Sequence, residues 1–334
     1  MRLSAFSIAD AYDDRPAASD RLLEVVRLAR SADAAGLSAL WVAEHHFHSG
    51  GVCPSPPVLL AACASATRTL RLGAMVSVLP FHRPIDVAEE YSTLDRISGG
   101  RLNLGVGSGY LPAEFEGFGV DPATKRERFD SSLELIRAAF DGREVHPGGP
   151  GTVGVRLNVL PVQRPHPPLW IAVQRPEAIA HIARRGLSIA LIPYATIADR
   201  DELATQIRAY RANLPAGRSA EVAVAMHVYA GDRPDLARGA LDRYLDSRRK
   251  THSTFYLKKS ERDPHSATSE GIERSGFAAF GSPDLVVRHL REFAAIGVDE
   301  LLGIFDFGGL DEAEVIRSVT TLGAAWASSA PSSP

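Results

Sequence analysis

The stretch Ala39-Leu-Trp-Val-Ala-Glu-His-His-Phe47 decides how this chain is read. Its first half, Ala39 to Ala43, is an apolar run rich enough in β-formers to be a buried strand. It then ends abruptly in an acid and two imidazoles, Glu44, His45 and His46. Parallel α/β folds place their chemistry at the C-terminal ends of buried strands.

Working outward, apolar runs alternate with segments of helical spacing. Strands are predicted at Leu3 to Ile8, Ala39 to Ala43, Leu70 to Leu79, Arg101 to Gly107, Pro168 to Val173, Leu187 to Ile192, Glu221 to Tyr229 and Glu300 to Phe305. Between them lie helical patterns such as 20–35, stopped by Gly36, and 84–97, stopped by Ser98-Gly-Gly100. Eight such units argue for an α/β fold of the TIM-like (β/α)8 barrel type. A doubly wound sheet would call for a GxGxxG turn after the first strand, and Ile8-Ala-Asp-Ala-Tyr-Asp-Asp14 has none. Two segments break the rhythm. The glycine- and proline-rich stretch 141–167 reads as a loop with a small hairpin at 153–157. The polar stretch 250–280 reads as an inserted lid. The expected organisation is a single barrel domain over 1–327 followed by a disordered tail, 328–334.

Composition narrows the function. The chain has 334 residues, 45% hydrophobic and 23% charged, with a formal net charge of −3. Without a basic block, nucleic acid and anionic membranes are poor partners. No stretch approaches the ~20 apolar residues of a membrane span. Cys53 and Cys63 form no disulfide framework, which suits a reduced cytoplasm. The N-terminus lacks a signal-peptide core, so a cytoplasmic protein is expected.

Among the strand ends, Glu44-His45-His46 is the strongest candidate. The period-2 pleat sends neighbouring side chains to opposite sides, so only one of the two histidines enters the barrel mouth. An imidazole there suits proton transfer, whereas a surface pair would only solvate a loop. A zinc site lacks a second ligand cluster, and no metal is expected. The third strand, Met75-Val-Ser-Val-Leu-Pro-Phe-His82, delivers Ser77 and His82 to the same mouth. Gly105-Val-Gly-Ser-Gly-Tyr110 offers backbone amides and a hydroxyl for a phosphate or flat ring, or is a tight corner only. Val173-Gln-Arg-Pro-Glu177 leads into a helix N-terminus where Arg175 adds positive charge.

Several motifs together resemble the bacterial luciferase-like flavin monooxygenases: Trp41-Val-Ala-Glu-His-His-Phe47, Leu94-Asp-Arg-Ile-Ser-Gly-Gly-Arg-Leu102, Gly105-Val-Gly-Ser-Gly-Tyr110 with Glu114-Phe115, Gly297-Val-Asp-Glu-Leu-Leu302 and Asp306-Phe-Gly-Gly-Leu310. The resemblance implies an FMN-dependent, two-component monooxygenase of TIM-like fold. Reduced FMN from a separate flavin reductase, with dioxygen as co-substrate, would oxygenate a small organic molecule such as a secondary-metabolite intermediate. It implies catalytic roles for His45, with Glu44 and His46 as supports, and for His82. Flavin contacts are implied at Met75, Val76 and Ser77, with a non-prolyl cis peptide near Met75-Val76, and at Ser108, Gly109, Tyr110, Gln174 and Arg175. Ser108 stands where luciferase has a phosphate-binding arginine, which shifts the phosphate toward the amides or hydroxyls of Ser108, Gly109 and Tyr110, with help from Arg175 on the fifth-strand loop. The resemblance also implies a homodimer. Its rivals are a deazaflavin-dependent oxidoreductase of the same fold and a non-catalytic flavin-binding subunit.

Overall fold

The computed structural model describes residues 1–11, 18–255 and 268–329. Nine parallel strands are present among them: β1 (Arg2–Ser7), β2 (Ala39–Val42), β3 (Arg71–Val78), β4 (Leu102–Gly107), β5 (Leu169–Val173), β6 (Ser188–Leu191), β7 (Val222–Ala230), β8 (Ala278–Gly281) and β9 (Glu300–Ile304). Eight of them close a ring in the order β1-β2-β3-β4-β5-β6-β7-β9 and back to β1. The sequence reading of a TIM-like (β/α)8 barrel therefore holds. Strands in such a ring face side chains on one side and helices on the other, so they are buried along nearly their whole length; β2, β4, β7 and β9 are buried at every residue.

The ninth strand departs from the expectation of an irregular insert over 250–280. Residues 250–255 end the helix Pro234–Phe255, and the helix Ser269–Ser275 leads into β8. β8 pairs with the upper half of β7, from His227 with Ala278 to Ala230 with Gly281. The four-residue run was too short to stand out beside its polar surroundings, yet Phe277, Ala278 and Ala279 are buried. Positions 256–267 of the expected lid and 330–334 of the expected tail lie outside the described residues. The expected hairpin in 141–167 is a single antiparallel bridge between Val145 and Val155.

The lower barrel is filled by tryptophan. Trp41 on β2 and Trp170 on β5 meet edge to face, with ring centroids 5.6 Å apart. Room for Trp41 comes from Gly73, its partner in register on β3: a Cβ there would lie 2.2 Å from the indole. The indole N–H, buried with the ring, donates to Glu300 Oε1 at 2.8 Å, and the Ser4 hydroxyl donates to the same oxygen at 2.8 Å. Arg2 supplies the countercharge at 2.7 Å. Above this layer, β3 carries a cis peptide between Met75 and Val76, at the position the resemblance implied. The β3–β4 register shifts between Ala74 and Ser77.

Glu300→Ala removes one acceptor that serves two buried donors and a cation. It is expected to cost about 3 kcal/mol of stability, read as a lowered urea midpoint with unchanged m-value, and Glu300→Gln should recover part of the loss.

Candidate active site

Beyond β2 the chain stays extended long enough for Ala43 to donate to the Ser7 carbonyl at 2.9 Å, and His45 N then hooks to the Cys53 carbonyl at 3.1 Å. This fixes three consecutive side chains in alternating directions. Glu44 and His46, two residues apart, meet at 3.1 Å from Oε1 to Nε2. His45 turns the other way, to Glu114, with Nδ1 3.0 Å from Oε1.

Two buried carboxylates thus organise the strand ends. Glu44 also receives His82 Nε2 at 2.7 Å and the backbone N–H of Val78 at 3.2 Å, which ties the end of β2 to the end of β3. Burial pushes the Glu44 carboxyl up, and the hydrogen bonds from His46 and His82 outweigh it, so Glu44 ionises below the ordinary glutamate range. Burial lowers His82 in turn, and its bond to Glu44 more than compensates, leaving the imidazole above its ordinary value.

Glu114 sits on the short helix Pro112–Gly117 and is 1% exposed. Besides His45 it accepts from the backbone N–H of His46 at 3.0 Å and faces His48 Nε2 at 3.3 Å. Burial raises this carboxyl, and the bonds from His45 and His48 overcome it and bring it down to about 2. An ionised carboxylate only accepts, so His45 Nδ1 carries the proton and Nε2 is left as the atom that can take one. His45 fits against Gly51, where a Cβ would lie 2.7 Å from the ring.

The mouth of the barrel holds a cavity of about 700 Å³. Of the residues singled out in the sequence, Glu44, His45, Met75, Val76, Ser108, Gly109, Tyr110, Gln174 and Arg175 line it. His46, His82 and Ser77 do not. His46 is buried against Phe118, edge to face at 4.7 Å, and His82 closes the Glu44 cluster. Of the implied support, Glu44 and His46 tie the end of β2 to β3, while the ring of His45 is held by Glu114, which also faces His48. Glu114 stood in the sequence beside Phe115 without an assigned role; a proline-started helix just after the fourth strand was the available signal. Gly105 and Gly107 serve packing: a Cβ on Gly105 would meet the Ala74 carbonyl at 2.4 Å, and one on Gly107 the Val76 side chain at 2.6 Å.

The β4–β5 side of the cavity is cationic. Lys125, half-buried, donates to the Gly109 carbonyl at 3.1 Å. Burial and the neighbouring Arg175 guanidinium both lower its pKa. Two adjacent cations beside a glycine turn suit a phosphate better than either alone. Two His/carboxylate triplets, Glu44-His46-His82 and His45-His48-Glu114, also bring three ligand-type atoms within 4.8 Å.

Residues 1–300 match the luciferase-like monooxygenase family, and the chain belongs to it. It is similar to the oxygenase component of the flavin-dependent trigonelline monooxygenase of Acinetobacter baylyi, 30% identical over 199 residues, covering 58% of this chain and 54% of that protein. It is 41% identical over 119 residues to the 4-hydroxyprotoasukamycin monooxygenase of Streptomyces nodosus subsp. asukaensis, covering 36% and 32%. The chain spans about half the length of the curated relatives it matches first. Among solved structures, the oxygenating constituent of 3,6-diketocamphane monooxygenase from Pseudomonas putida, in complex with FMN, superposes with a TM-score of 0.80 at 20% identity, covering 98% and 99% of the two chains. That likeness is one of fold.

The depressed Glu114 carboxyl makes stability pH-dependent with a defined sign. Its contribution is complete above the ordinary glutamate value, about 4.3, and is lost as the pH falls toward 2. The stability gap between wild type and Glu114→Gln should therefore be widest at about pH 6 and shrink by about pH 3. Urea midpoints at the two pH values check this; an unchanged gap would remove Glu114 from the linkage.

Proposed function

We propose that the protein is the oxygenase of a two-component flavin-dependent monooxygenase, acting on a small organic substrate. The observation that carries this reading is His45, held through Nδ1 by buried, ionised Glu114 on the wall of a cavity large enough for a flavin and a substrate. Membership of the luciferase-like family and the printed role of the trigonelline relative as an oxygenase component support it. Reduced FMN, delivered by a separate flavin reductase, supplies the electrons that let dioxygen oxygenate the substrate.

The residues present fit that group. Lys125 and Arg175 meet the phosphate charge, with Ser108, Gly109, Tyr110 and Gln174 beside them. Met75 and Val76 floor the cavity from β3. His45 holds or passes a proton at Nε2, because Glu114 fixes the proton at Nδ1. Glu44, His46 and His82 position the strand end that carries His45. The working state in this reading is a cytoplasmic homodimer.

Kinetics and flavin titrations check it. His45→Ala should lower kcat by about 100-fold or more while FMN affinity changes little; a matching loss of FMN affinity would make His45 a binding residue instead. Lys125→Met and Arg175→Met should each weaken FMN binding roughly tenfold in a fluorescence titration; if neither does and Tyr110→Phe does, the phosphate lies with Tyr110. Aerobic turnover with reduced FMN, compared with reduced deazaflavin under nitrogen, separates the oxygenase from a deazaflavin-dependent oxidoreductase. FMN binding without turnover in either assay marks a silent flavin-binding subunit.

A further inference from the structure

In the ring of strands β7 lies four places from β3 in either direction, so its upper end faces Met75 and Val76 across the mouth. That end carries His227, 6% exposed, inside a collar of Tyr194, Tyr244 and Phe307 with ring centroids 4.8, 4.5 and 5.3 Å away. Arg248, on the helix Pro234–Phe255, lies in the same collar. Its guanidinium sits over the Tyr194 ring at 5.2 Å and donates through one Nη to the Tyr194 carbonyl at 3.0 Å. His227 and Arg248 both line the cavity that His45 lines.

Each of these side chains is incompletely satisfied. Among the described residues, His227 Nδ1 and Arg248 Nε are buried and have no hydrogen-bond partner. Native proteins leave few buried polar atoms in that state, and two such nitrogens facing one cavity call for a common partner. Nor do the carboxylates that line the cavity supply one: Glu44 and Glu114 are committed to their own imidazoles, and Asp10 faces Arg21 at 3.6 Å. Burial, and then the Arg248 charge, hold His227 neutral, well below its ordinary pKa. A neutral imidazole offers one N–H, and the guanidinium offers a planar fork of donors whose shape matches two oxygens on one carbon. A cationic ligand would meet Arg248 at close range and be repelled.

We propose that the substrate carries a carboxylate, bound by Arg248 and His227, on a flat or apolar body that reaches from the aromatic collar toward β3. The inference rests on the oxygenase reading, whose substrate class it names, but the two fail separately. Phosphate-type anions are the task of Lys125 and Arg175 on the β4–β5 side of the same cavity, so the two anionic groups do not compete for one pair of cations.

The test is calorimetric titration of the full chain, with and without bound FMN, using 1-naphthoate and its neutral counterpart 1-naphthamide. The acid should bind at least about tenfold tighter than the amide, the contribution expected of a charge-assisted contact. Arg248→Met should abolish that preference. His227→Phe, which keeps a ring in the collar, should weaken the acid and spare the amide. Arg175→Met should leave the preference intact. Equal binding of acid and amide would overturn the proposal. So would absence of acid binding at millimolar concentration, a preference that survives both substitutions, or one that vanishes in Arg175→Met. FMN titrations of the same proteins score the other reading: acid selectivity through Arg248 without FMN binding sinks the oxygenase assignment and keeps this one, and FMN binding without acid selectivity does the reverse.

Discussion

A carboxylate taken out of water must be given partners or it will not stay ionised. Glu44 and Glu114 are both buried at the end of β2, and each meets this requirement with two imidazoles and a backbone N–H. The geometry of the mouth follows. Because the pleat separates odd from even positions, the run Glu44-His45-His46 serves two different carboxylates from one strand end. Glu44 with His46 and His82 clamps β2 to β3, and His45 with His48 clamps β2 to the helix after β4. The imidazole at the cavity wall is fixed in direction and in tautomer by charges that cannot leave.

The same logic of filling and satisfying shapes the barrel below. Trp41 occupies space that Gly73 vacates, crosses to Trp170, and finds Glu300 for its N–H. Above this packed layer lies the cavity, lined from within the strands by Met75, Val76, Ile171 and His227 and from their ends by Glu44, His45 and Ser108. On the rim, the Phe47 ring lies over Gly117 and packs on Phe118, which stacks on Phe81. This aromatic patch covers the outer side of the histidine loop.

What could be read in the chain beforehand was whatever depends on local period. Alternating apolar runs and helical segments gave eight strands and the barrel, and the pleat placed one histidine of the pair in the mouth. The resemblance located the Met75–Val76 peptide. Long-range convergence was hidden: Glu114 reaches His45 across 69 positions, and nothing in the spacing of either announces the contact. His227 and Arg248 were not singled out in the sequence: one lies in an apolar strand and the other on a helix, and only the folded cavity sets them together. The Gly105–Tyr110 turn read either as room for a phosphate or flat ring or as a tight corner; Gly105 and Gly107 admit β3, and Gly107 also lines the cavity. β8 was missed because four residues carry too little period to separate a strand from the end of a loop.

β7 and β9 pair directly from Ala223 with Glu300 to His227 with Ile304, so the barrel is already closed without any of the chain between them. That intervening chain contributes Tyr244, Arg248 and, through β8, Phe280 to the collar. The segment closes no strand pair of the ring, yet it packs Ala240, Val286, Leu290 and Phe293 into the core. In the carboxylate reading, Arg248 comes from chain that closes no strand pair of the ring, and His227 from a strand that does.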